Sequence, residues 1–352
     1  MKFQEITAEE FDKFEHGRLG GGFYQKAKRA IVRRKMGWNI YFLGVFDGKK
    51  LRGAGLMMEK RNAGIMQLGP LLDDYSDMKL VRAFLKGAIE FGKARNWITV
   101  EIFPPVILSV RDAKGEILEK NDQKKLFDVF REFGFKYEGA TIKFDPRVMR
   151  WLTVKDLSGF KNIDEARASY KKNTRNKLRK NGPLLKVELI KDKSQLSEWI
   201  KPLNSSNKKN GVENLGRDVD YYEEIWDAFG DAAEFMSVKK KDTGETIVSR
   251  LVLYFPEETI TFSSGTIQEF KQLNGMTILQ DWQIGRCIER GIKRINFYGV
   301  EGDFTENNRL LTFKSEFGIV VEEYIGGFRK VLRPVRYNLG RAKRKATSLI
   351  KH

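Results

Sequence analysis

Residues 294–334 form the stretch that decides the fold: R-I-N-F-Y-G-V-E-G, the polar turn D-F-T-E-N-N, then R-L-L-T-F-K-S-E-F-G-I-V-V and E-E-Y-I-G-G-F-R-K-V-L-R-P. The first part alternates apolar and polar residues up to Gly299, which predicts a buried strand that ends in a loop. Ligands of α/β folds bind at such strand ends. Phe313 and Lys314 follow, an aromatic beside a lone cation, and a second glycine-punctuated strand is predicted over residues 320–328.

The same stretch resembles a known family signature. Its Gly-x-Glu-Gly turn, F-K-S-E-F-G and E-Y-I-G-G-F resemble the carboxy-terminal segment of the Fem family, the non-ribosomal aminoacyltransferases that build peptidoglycan cross-bridges from aminoacyl-tRNA. Further segments resemble the family in the same order, namely L-G-P-L-L-D-D, F-P-P-V, S-Y-K-K-N-T-R-N-K-L-R-K and N-G-V-E-N-L-G-R-D-V-D-Y-Y. The resemblance therefore extends over nearly the whole chain.

Composition limits the kinds of protein that this chain can be. Its 352 residues are enough for two domains with full cores, and no apolar run approaches the ~20 residues of a membrane helix. The amino terminus has no secretory signal, and the single cysteine, Cys287, excludes an internal disulfide and a Cys-built metal site. With only His16 and His352, a Ser-His or Cys-His mechanism is excluded. These features predict a cytoplasmic protein without a metal.

The net charge of +18 predicts phosphate-rich partners or an anionic membrane surface, although solvated lysines alone would give the same composition. One basic block is concentrated enough to repel itself on a helix, which favours an anionic ligand for Lys172, Arg175 and Arg179. A solvated helix is the alternative. The basic tail over residues 341–352 is compatible with peripheral contact with anionic headgroups at the inner face of the membrane, with RNA contact, or with fraying.

An internal repeat sets the predicted architecture. Residues 1–150 give three strands, a helix, a strand, a helix and a last strand, and residues 231–330 repeat the strands, helix and strand. The predicted fold class is α/β (α+β), with two tandem units that resemble the acyl-CoA N-acetyltransferase (GNAT) fold. The predicted divisions are a first unit over 1–150, a basic linking region over 151–230 and a second unit over 231–352. Residues 183–240 are too short and too poorly periodic for the long antiparallel helical arm that some members of the resembled family carry.

A helix after the first glycine cluster carries two candidate binding residues. Its pattern predicts that Ile31 points inward and Arg29 outward. The Fem resemblance implies that a cation on this helix, Arg33 with Lys35 as its rival, holds the diphosphate and sugar part of the cell-wall precursor.

The resemblance implies further precursor contacts in the second half of the chain. Arg217 and Tyr221 match the family's arginine and tyrosine four residues apart, and a guanidinium fork with an aromatic wall suits a sugar diphosphate. The family also commonly has an aromatic near the S-S-G turn, and Phe262, beside Ser263 and Ser264, is its one candidate counterpart here.

The resemblance also implies the catalytic pair. Phe313 and Lys314 match the family's F-K pair, so the lysine is expected to meet the terminal adenosine of the tRNA or the oxyanion that forms at the ester. Without the family, a core aromatic and a surface ion-pair partner would be expected here. The general base stays open among Asp73, Asp74, Glu301 and the substrate itself.

The predicted activity is transfer of an amino acid from aminoacyl-tRNA, as co-substrate, to the side-chain amine of a stem peptide on a UDP-linked or lipid-linked precursor, with no other cofactor. Two alternatives remain at this point. An imperfect coenzyme A turn, Q-L-N-G-M-T over residues 272–277, would suit an acyl-CoA-dependent N-acyltransferase. A non-catalytic basic module for RNA or membrane would explain the charge alone.

Overall fold

The structure is a computed structural model that describes residues 1–139, 141–143, 145, 147, 150–211 and 217–350, with residues 343–350 described by their backbone alone. The side chains of the predicted basic tail from residue 343 onward, and residues 212–216 of the N-G-V-E-N-L-G-R motif, therefore lie outside what is described. Within the described residues, no helix combines the length and the apolar character needed to cross a bilayer.

The strands, in chain order, are β1 (Lys2–Glu5), β2 (Asn39–Asp47), β3 (Lys50–Lys60), β4 (Ala63–Met66), β5 (Leu71–Leu72), β6 (Thr99–Ile102), β7 (Ile107–Arg111), β8 (Ile117–Lys120), β9 (Lys136–Tyr137), β10 (Trp151–Asp156), β11 (Leu185–Leu189), β12 (Ala233–Lys240), β13 (Thr246–Tyr254), β14 (Thr259–Thr266), β15 (Arg294–Gly299), β16 (Val320–Tyr324) and β17 (Phe328–Val331).

The helices, in chain order, are α1 (Ala8–Glu15), α2 (Ala27–Lys35), α3 (Met78–Ala94), α4 (Lys124–Glu132), α5 (Ile163–Ala168), α6 (Lys172–Asn181), α7 (Leu196–Trp199), α8 (Lys201–Lys209), α9 (Val219–Phe229), α10 (Gly275–Glu289), α11 (Arg309–Ser315) and α12 (Pro334–Ile350).

The first compact unit contains residues 1–109, 119–150 and 323–352. Its sheet has the order β1-β2-β3-β4-β6-β17-β9, and β4 and β6 run parallel. Helix α3 packs its apolar stripe on this sheet, as its sequence spacing predicts, and Asp77 caps its first turn by accepting from two backbone amides.

The second compact unit contains residues 110–118 and 151–322. Its sheet has the order β11-β12-β13-β14-β15-β10-β16-β7-β8. Strands β14 and β15 run parallel but pair only at Thr259 with Ile295 and at Ile260 with Asn296. Both strands continue beyond these pairs, so they separate, and we call the space between residues 261–266 and 297–299 the β14–β15 gap.

The two units repeat one pattern. In the first, an antiparallel meander (β2, β3, β4) is followed by a helix (α3) and a strand parallel to the third (β6). In the second, β12, β13 and β14 are followed by α10 and β15 with the same orientations. The predicted α/β class with two GNAT-like units is confirmed, and α10, at 15 residues, is the longest described helix of the second unit.

Each unit includes segments from outside its predicted limits. Residues 323–352, predicted in the second unit, pack with the first unit because β17 completes its sheet, and residues 110–118 pack with the second. The predicted linking region over 151–230 is part of the second unit itself.

The predicted single strand over residues 320–328 is two strands in different sheets, which is a correction. Gly326 lies between β16 and β17 with a φ of 89°, in the left-handed region. A Cβ there would lie 2.6 Å from the Cα of Gly139. The chain therefore breaks its extended conformation at a position that only glycine fits.

The orientation of α2 also differs from the prediction. Arg29 is completely buried, whereas Ile31 is 47% exposed. The Arg29 guanidinium donates to the backbone carbonyl of Tyr24 and to the side chain of Gln67. A charge that finds such acceptors can be buried, and apolar periodicity alone does not reveal this.

Candidate functional site

Lys314 is buried at the end of β15. It lies in α11, whose first turn is capped by Asn308, and its Nζ donates to the carbonyls of Tyr298 at 3.1 Å and of Gly299 at 3.0 Å. Burial, and secondly the charge of Arg250, hold the pKa of this amine well below its ordinary value. The predicted catalytic lysine is therefore desolvated and fixed in place.

Tyr298 makes this arrangement possible. Its φ of 69° is left-handed, and its backbone amide donates to the side chain of Asn296. Successive carbonyls of a regular strand point in opposite directions, so the change at Tyr298 allows two of them to meet one amine. Tyr298 was not predicted as a site residue, and a tyrosine just before a glycine at a strand end was the only signal for it.

Three of the predicted precursor-binding residues lie together. The Arg217 guanidinium carbon lies 5.0 Å from the centroid of the Phe262 ring and 5.8 Å from that of Tyr221. The Phe262 ring in turn meets the Tyr298 ring edge to face at 5.9 Å. With Lys314 bonded to Tyr298, these five residues form a continuous group, which we call the Arg217–Lys314 cluster.

Phe313 borders a cavity of about 420 Å³ beside the start of α10. The cavity is lined by four basic side chains, Lys177, Lys209, Lys271 and Arg309, together with Glu316 and several polar groups. The Q-L-N-G-M-T turn contributes to the same wall. Basic side chains at a helix start form a suitable environment for phosphate groups.

The predicted phosphate-binding residues of α6 have unequal surroundings. Arg175 donates to the carbonyls of Tyr170 and Ala168, so it stabilises the turn before its own helix. Lys172 and Arg179 are exposed. The cavity is lined by Lys177 from this block, and by none of these three residues.

Arg33 and Lys35 lie in the last turn of α2 in the first unit. Arg33 is half-buried and donates to the sulfur of Met36, and Lys35 is exposed. The predicted candidates for the general base in this unit are poorly suited. Asp73 is paired with Arg18 and Arg52, and hydrogen bonds from Ser76 lower the pKa of Asp74.

A second buried cation was missed. Arg250 lies in β13 and donates to the Ser264 hydroxyl at 3.0 Å, to the side-chain oxygens of Gln280 and Gln283 at 3.0 and 2.7 Å, and to the sulfur of Met276. Burial lowers the pKa of its guanidinium to about 9, which leaves it charged at neutral pH. An arginine within the apolar strand I-V-S-R-L-V-L-Y was the available signal.

Comparisons with known proteins agree with one another. Residues 6–239 and 236–345 match the model of the FemAB family. The aminoacyltransferase FemB of Staphylococcus epidermidis is 25% identical over 408 aligned positions, which cover 96% of each chain. The aminoacyltransferase FemA of the same species is 24% identical, with 98% of this chain and 99% of FemA covered.

Solved structures match the fold. A crystal structure of FemX superposes with a TM-score of 0.77 at 20% identity, covering 96% of this chain and 99% of that chain. A tandem GNAT protein from the clavulanic acid biosynthesis pathway matches with a TM-score of 0.56 at 8% identity, covering 94% and 98%. Both are similar to this chain in architecture.

Proposed function

Because the chain belongs to the FemAB family, we propose that it transfers an amino acid from aminoacyl-tRNA to the side-chain amine of a peptidoglycan stem peptide. The relatives FemA and FemB, both named aminoacyltransferases, support the acyltransferase class. The acceptor is a UDP-linked or lipid-linked precursor. The proposal places the protein in the cytoplasm, where charged tRNA is available, with peripheral contact with the membrane through its basic tail.

The Arg217–Lys314 cluster is the observation that carries the proposal. It joins residues suited to a sugar diphosphate, Arg217 and Tyr221, to a desolvated amine at the β14–β15 gap. A guanidinium fork binds phosphate oxygens, and an amine in a dry site interacts strongly with developing negative charge. If Arg217 and Tyr221 bind the precursor and Lys314 meets the ester, the two reactants meet at contiguous residues of one unit, which supports the proposal.

The other proposed contacts follow from position. Phe313 and the basic cavity beside it would receive the terminal adenosine and the last phosphates of the tRNA, with Lys172 and Arg179 contacting phosphates farther along. Arg33, with Lys35 as its rival, is also proposed to bind the diphosphate and sugar part of the precursor. Long-range attraction by the +18 net charge would favour both reactants, since each carries phosphate.

The reaction requires few catalytic groups from the protein. An aminoacyl ester is already activated, so attack by an amine needs orientation, an unprotonated nucleophile and stabilisation of the oxyanion, with no covalent intermediate. This matches a chain in which histidine is nearly absent.

The direct test is a transfer assay. Radiolabelled mixed aminoacyl-tRNA is supplied with the UDP-linked or the lipid-linked acceptor, with and without ribonuclease. We expect label in one acceptor and its loss after ribonuclease. Label that is absent from both acceptors would contradict the proposal.

Lys314→Met tests the role of the amine. We expect it to abolish transfer while precursor binding is nearly unchanged, because the amine acts at the ester. Lys155→Met is a matched control, since Lys155 is also a buried lysine that donates to backbone carbonyls, at 2.8 Å to Phe317, but lies outside the cluster. Equal loss of binding and transfer in Lys314→Met would contradict this role.

One observation favours a second candidate, an acyl-CoA-dependent N-acyltransferase. The basic cavity at the start of α10 would also suit the pyrophosphate of coenzyme A. Tight retention on immobilised coenzyme A, together with transfer that survives ribonuclease, would favour this candidate over the first.

A further inference from the structure

Two buried cations of the second unit have only neutral hydrogen-bond partners among the described residues. Lys314 donates to two backbone carbonyls, and Arg250 donates to a hydroxyl, two amide oxygens and a sulfur. Both side chains are nearly inaccessible, with the residues 7% and 2% exposed. Burying two like charges without a carboxylate is costly, so a protein gains stability if one of them gives up its proton.

Each of these two cations is hydrogen-bonded to a different strand that borders the β14–β15 gap. Arg250 is bonded to β14 through the Ser264 hydroxyl, and Lys314 is bonded to β15 through the carbonyls of Tyr298 and Gly299. Because guanidinium is far more basic than an amine, Arg250 keeps its proton and Lys314 is the group that loses one.

The two hydrogen bonds of Lys314 use two of the three tetrahedral positions around Nζ that are not bonded to carbon. A neutral amine has two N–H bonds and one lone pair, and both N–H bonds can be donated to the two carbonyls. The remaining position then carries the lone pair. The geometry therefore accommodates the neutral amine with every donor satisfied, and it leaves a single site where a proton can be accepted.

We propose that Lys314 is the proton carrier of the transfer reaction and that Arg250 is the positioning residue that keeps it ready to accept a proton. The inference rests on the proposed function. The acceptor nitrogen bonds to the carbonyl carbon of the ester, and Lys314 takes the proton from that nitrogen. The bond between this carbon and the ribose oxygen then breaks, and the Lys314 ammonium returns the proton to that oxygen. The products are an amide and a free ribose hydroxyl, and the lysine is neutral again.

Other charged groups around α11 do not replace Arg250 in this role. Glu316 accepts from Lys177, Lys155 donates to carbonyls at the carboxy-terminal end of the helix, and Arg309 is exposed at the cavity. The parts of β14 and β15 that flank the gap, T-F-S-S-G-T and F-Y-G, bring Tyr298 as their one titratable side chain. On β13 the only charged residue is Arg250 itself.

The test follows the Lys314 amine directly. The whole protein is labelled with ¹³C at the lysine ε-carbons, the Lys314 resonance is assigned by its loss in Lys314→Met, and the pH is titrated without substrates. In the wild type we expect a midpoint well below the ordinary lysine value of about 10.4. In Arg250→Met the midpoint should rise by on the order of one unit or more, and in Arg250→Lys it should stay low. The Lys155 resonance is an internal reference, because burial rather than Arg250 lowers its pKa.

The activity arm separates this inference from the proposed function. The pH at which transfer reaches half of its maximum should move upward in Arg250→Met together with the Lys314 midpoint. A wild-type midpoint near the ordinary value, or equal midpoints in the wild type and Arg250→Met, would overturn the inference even if transfer is observed. If Arg250→Met does not fold, the Lys314 titration midpoints of the wild type and of Arg250→Lys test the inference instead. Absence of transfer with a lowered midpoint would instead contradict the proposed function, and with it the carrier role.

Discussion

Lys155 and Lys314 are buried lysines that make similar hydrogen bonds in different surroundings. The Lys155 Nζ donates to the Ser169 hydroxyl at 3.1 Å and to the carbonyl of Phe317 at 2.8 Å, and burial lowers its pKa to about 8. It ties β10 to the end of α11 in the interior of the unit. Lys314 likewise donates to backbone carbonyls, but those carbonyls belong to Tyr298 and Gly299 at the β14–β15 gap, within the Arg217–Lys314 cluster.

The lowered pKa of Lys155 predicts a pH dependence of stability. Between pH 8 and about 10.4 the unfolded chain holds a proton on this lysine that the folded protein has lost, so stability rises with pH in this window. We expect the free energy of unfolding of Lys155→Met to lack this contribution. Urea unfolding at pH 7.5, 8.5 and 9.5 measures it, and a constant difference between variant and wild type would contradict the prediction.

Site residues that belong to a motif could be predicted from the sequence. Site residues whose role depends on burial were predicted less well. Arg217, Tyr221 and Phe262 were named from motif matches, and the structure brings them together. Arg250 and Arg29 were not recognised as buried, because a charged residue is normally assigned to the surface. Their burial depends on acceptors supplied by elements far away in sequence.

At the scale of elements, α8 covers the edge of β14 through a glycine. A Cβ at Gly265 would lie 2.4 Å from the Cα of Leu203 and from the carbonyl of Pro202, which are backbone atoms that cannot move aside cheaply. The Ser206 hydroxyl accepts from the amide of Thr266, so the helix and the strand are joined directly. This contact places α8 directly on the residues of β14 that border the β14–β15 gap.

Gly265→Ala should therefore destabilise the protein by about 1–3 kcal/mol, the usual cost of overpacking. Gly182→Ala is a matched control in the same unit, since nothing lies within 4 Å of its Cβ position and its φ is −53°. We expect the control to be neutral or slightly stabilising. Thermal unfolding measures both variants, and equal midpoints for the two would contradict the role of the close approach.

The basic helix α6 divides into structural and exposed cations. Under the proposed function, the double variant Lys172→Ala with Arg179→Ala should weaken tRNA binding and reduce its salt dependence by a slope of about 1–2. Arg175→Ala should instead lower stability, because it removes a 2.6 Å bond to the carbonyl of Tyr170. Filter binding across a salt series tests this, and an unchanged slope in the double variant would exclude the phosphate contacts.

Element types were largely predictable, because apolar spacing marks α3 and the two meanders clearly. The failure at residues 320–328 has a specific cause. Both β16 (V-V-E-E-Y) and β17 (F-R-K-V) are extended and only three residues separate them, so local pattern does not reveal that the chain changes sheets at Gly326. That change depends on the close approach of Gly139, which is a tertiary contact.

At the scale of the molecule, the repeat was visible in the sequence but the exchange of segments was not. Strand β17 lies between β6 and β9 in the first unit, and Phe328 stacks on Phe130 with their ring centroids 4.0 Å apart. Pairing between segments so distant in sequence leaves no local pattern. The first unit is therefore completed by residues near the carboxy terminus.

This arrangement predicts the effect of truncation. A chain that ends at residue 322 lacks β17, so β6 loses its antiparallel partner and the core around Phe130 is exposed. We expect the first unit to lose amide protection throughout its sheet, whereas a chain that ends at Arg333 keeps β17, loses only α12 and retains the protection. Hydrogen exchange by mass spectrometry, with peptides of β2 and β6 as reporters, distinguishes the two. Full protection of these peptides in the shorter chain would mean that the first unit folds without the strand that its sheet receives from the end of the chain.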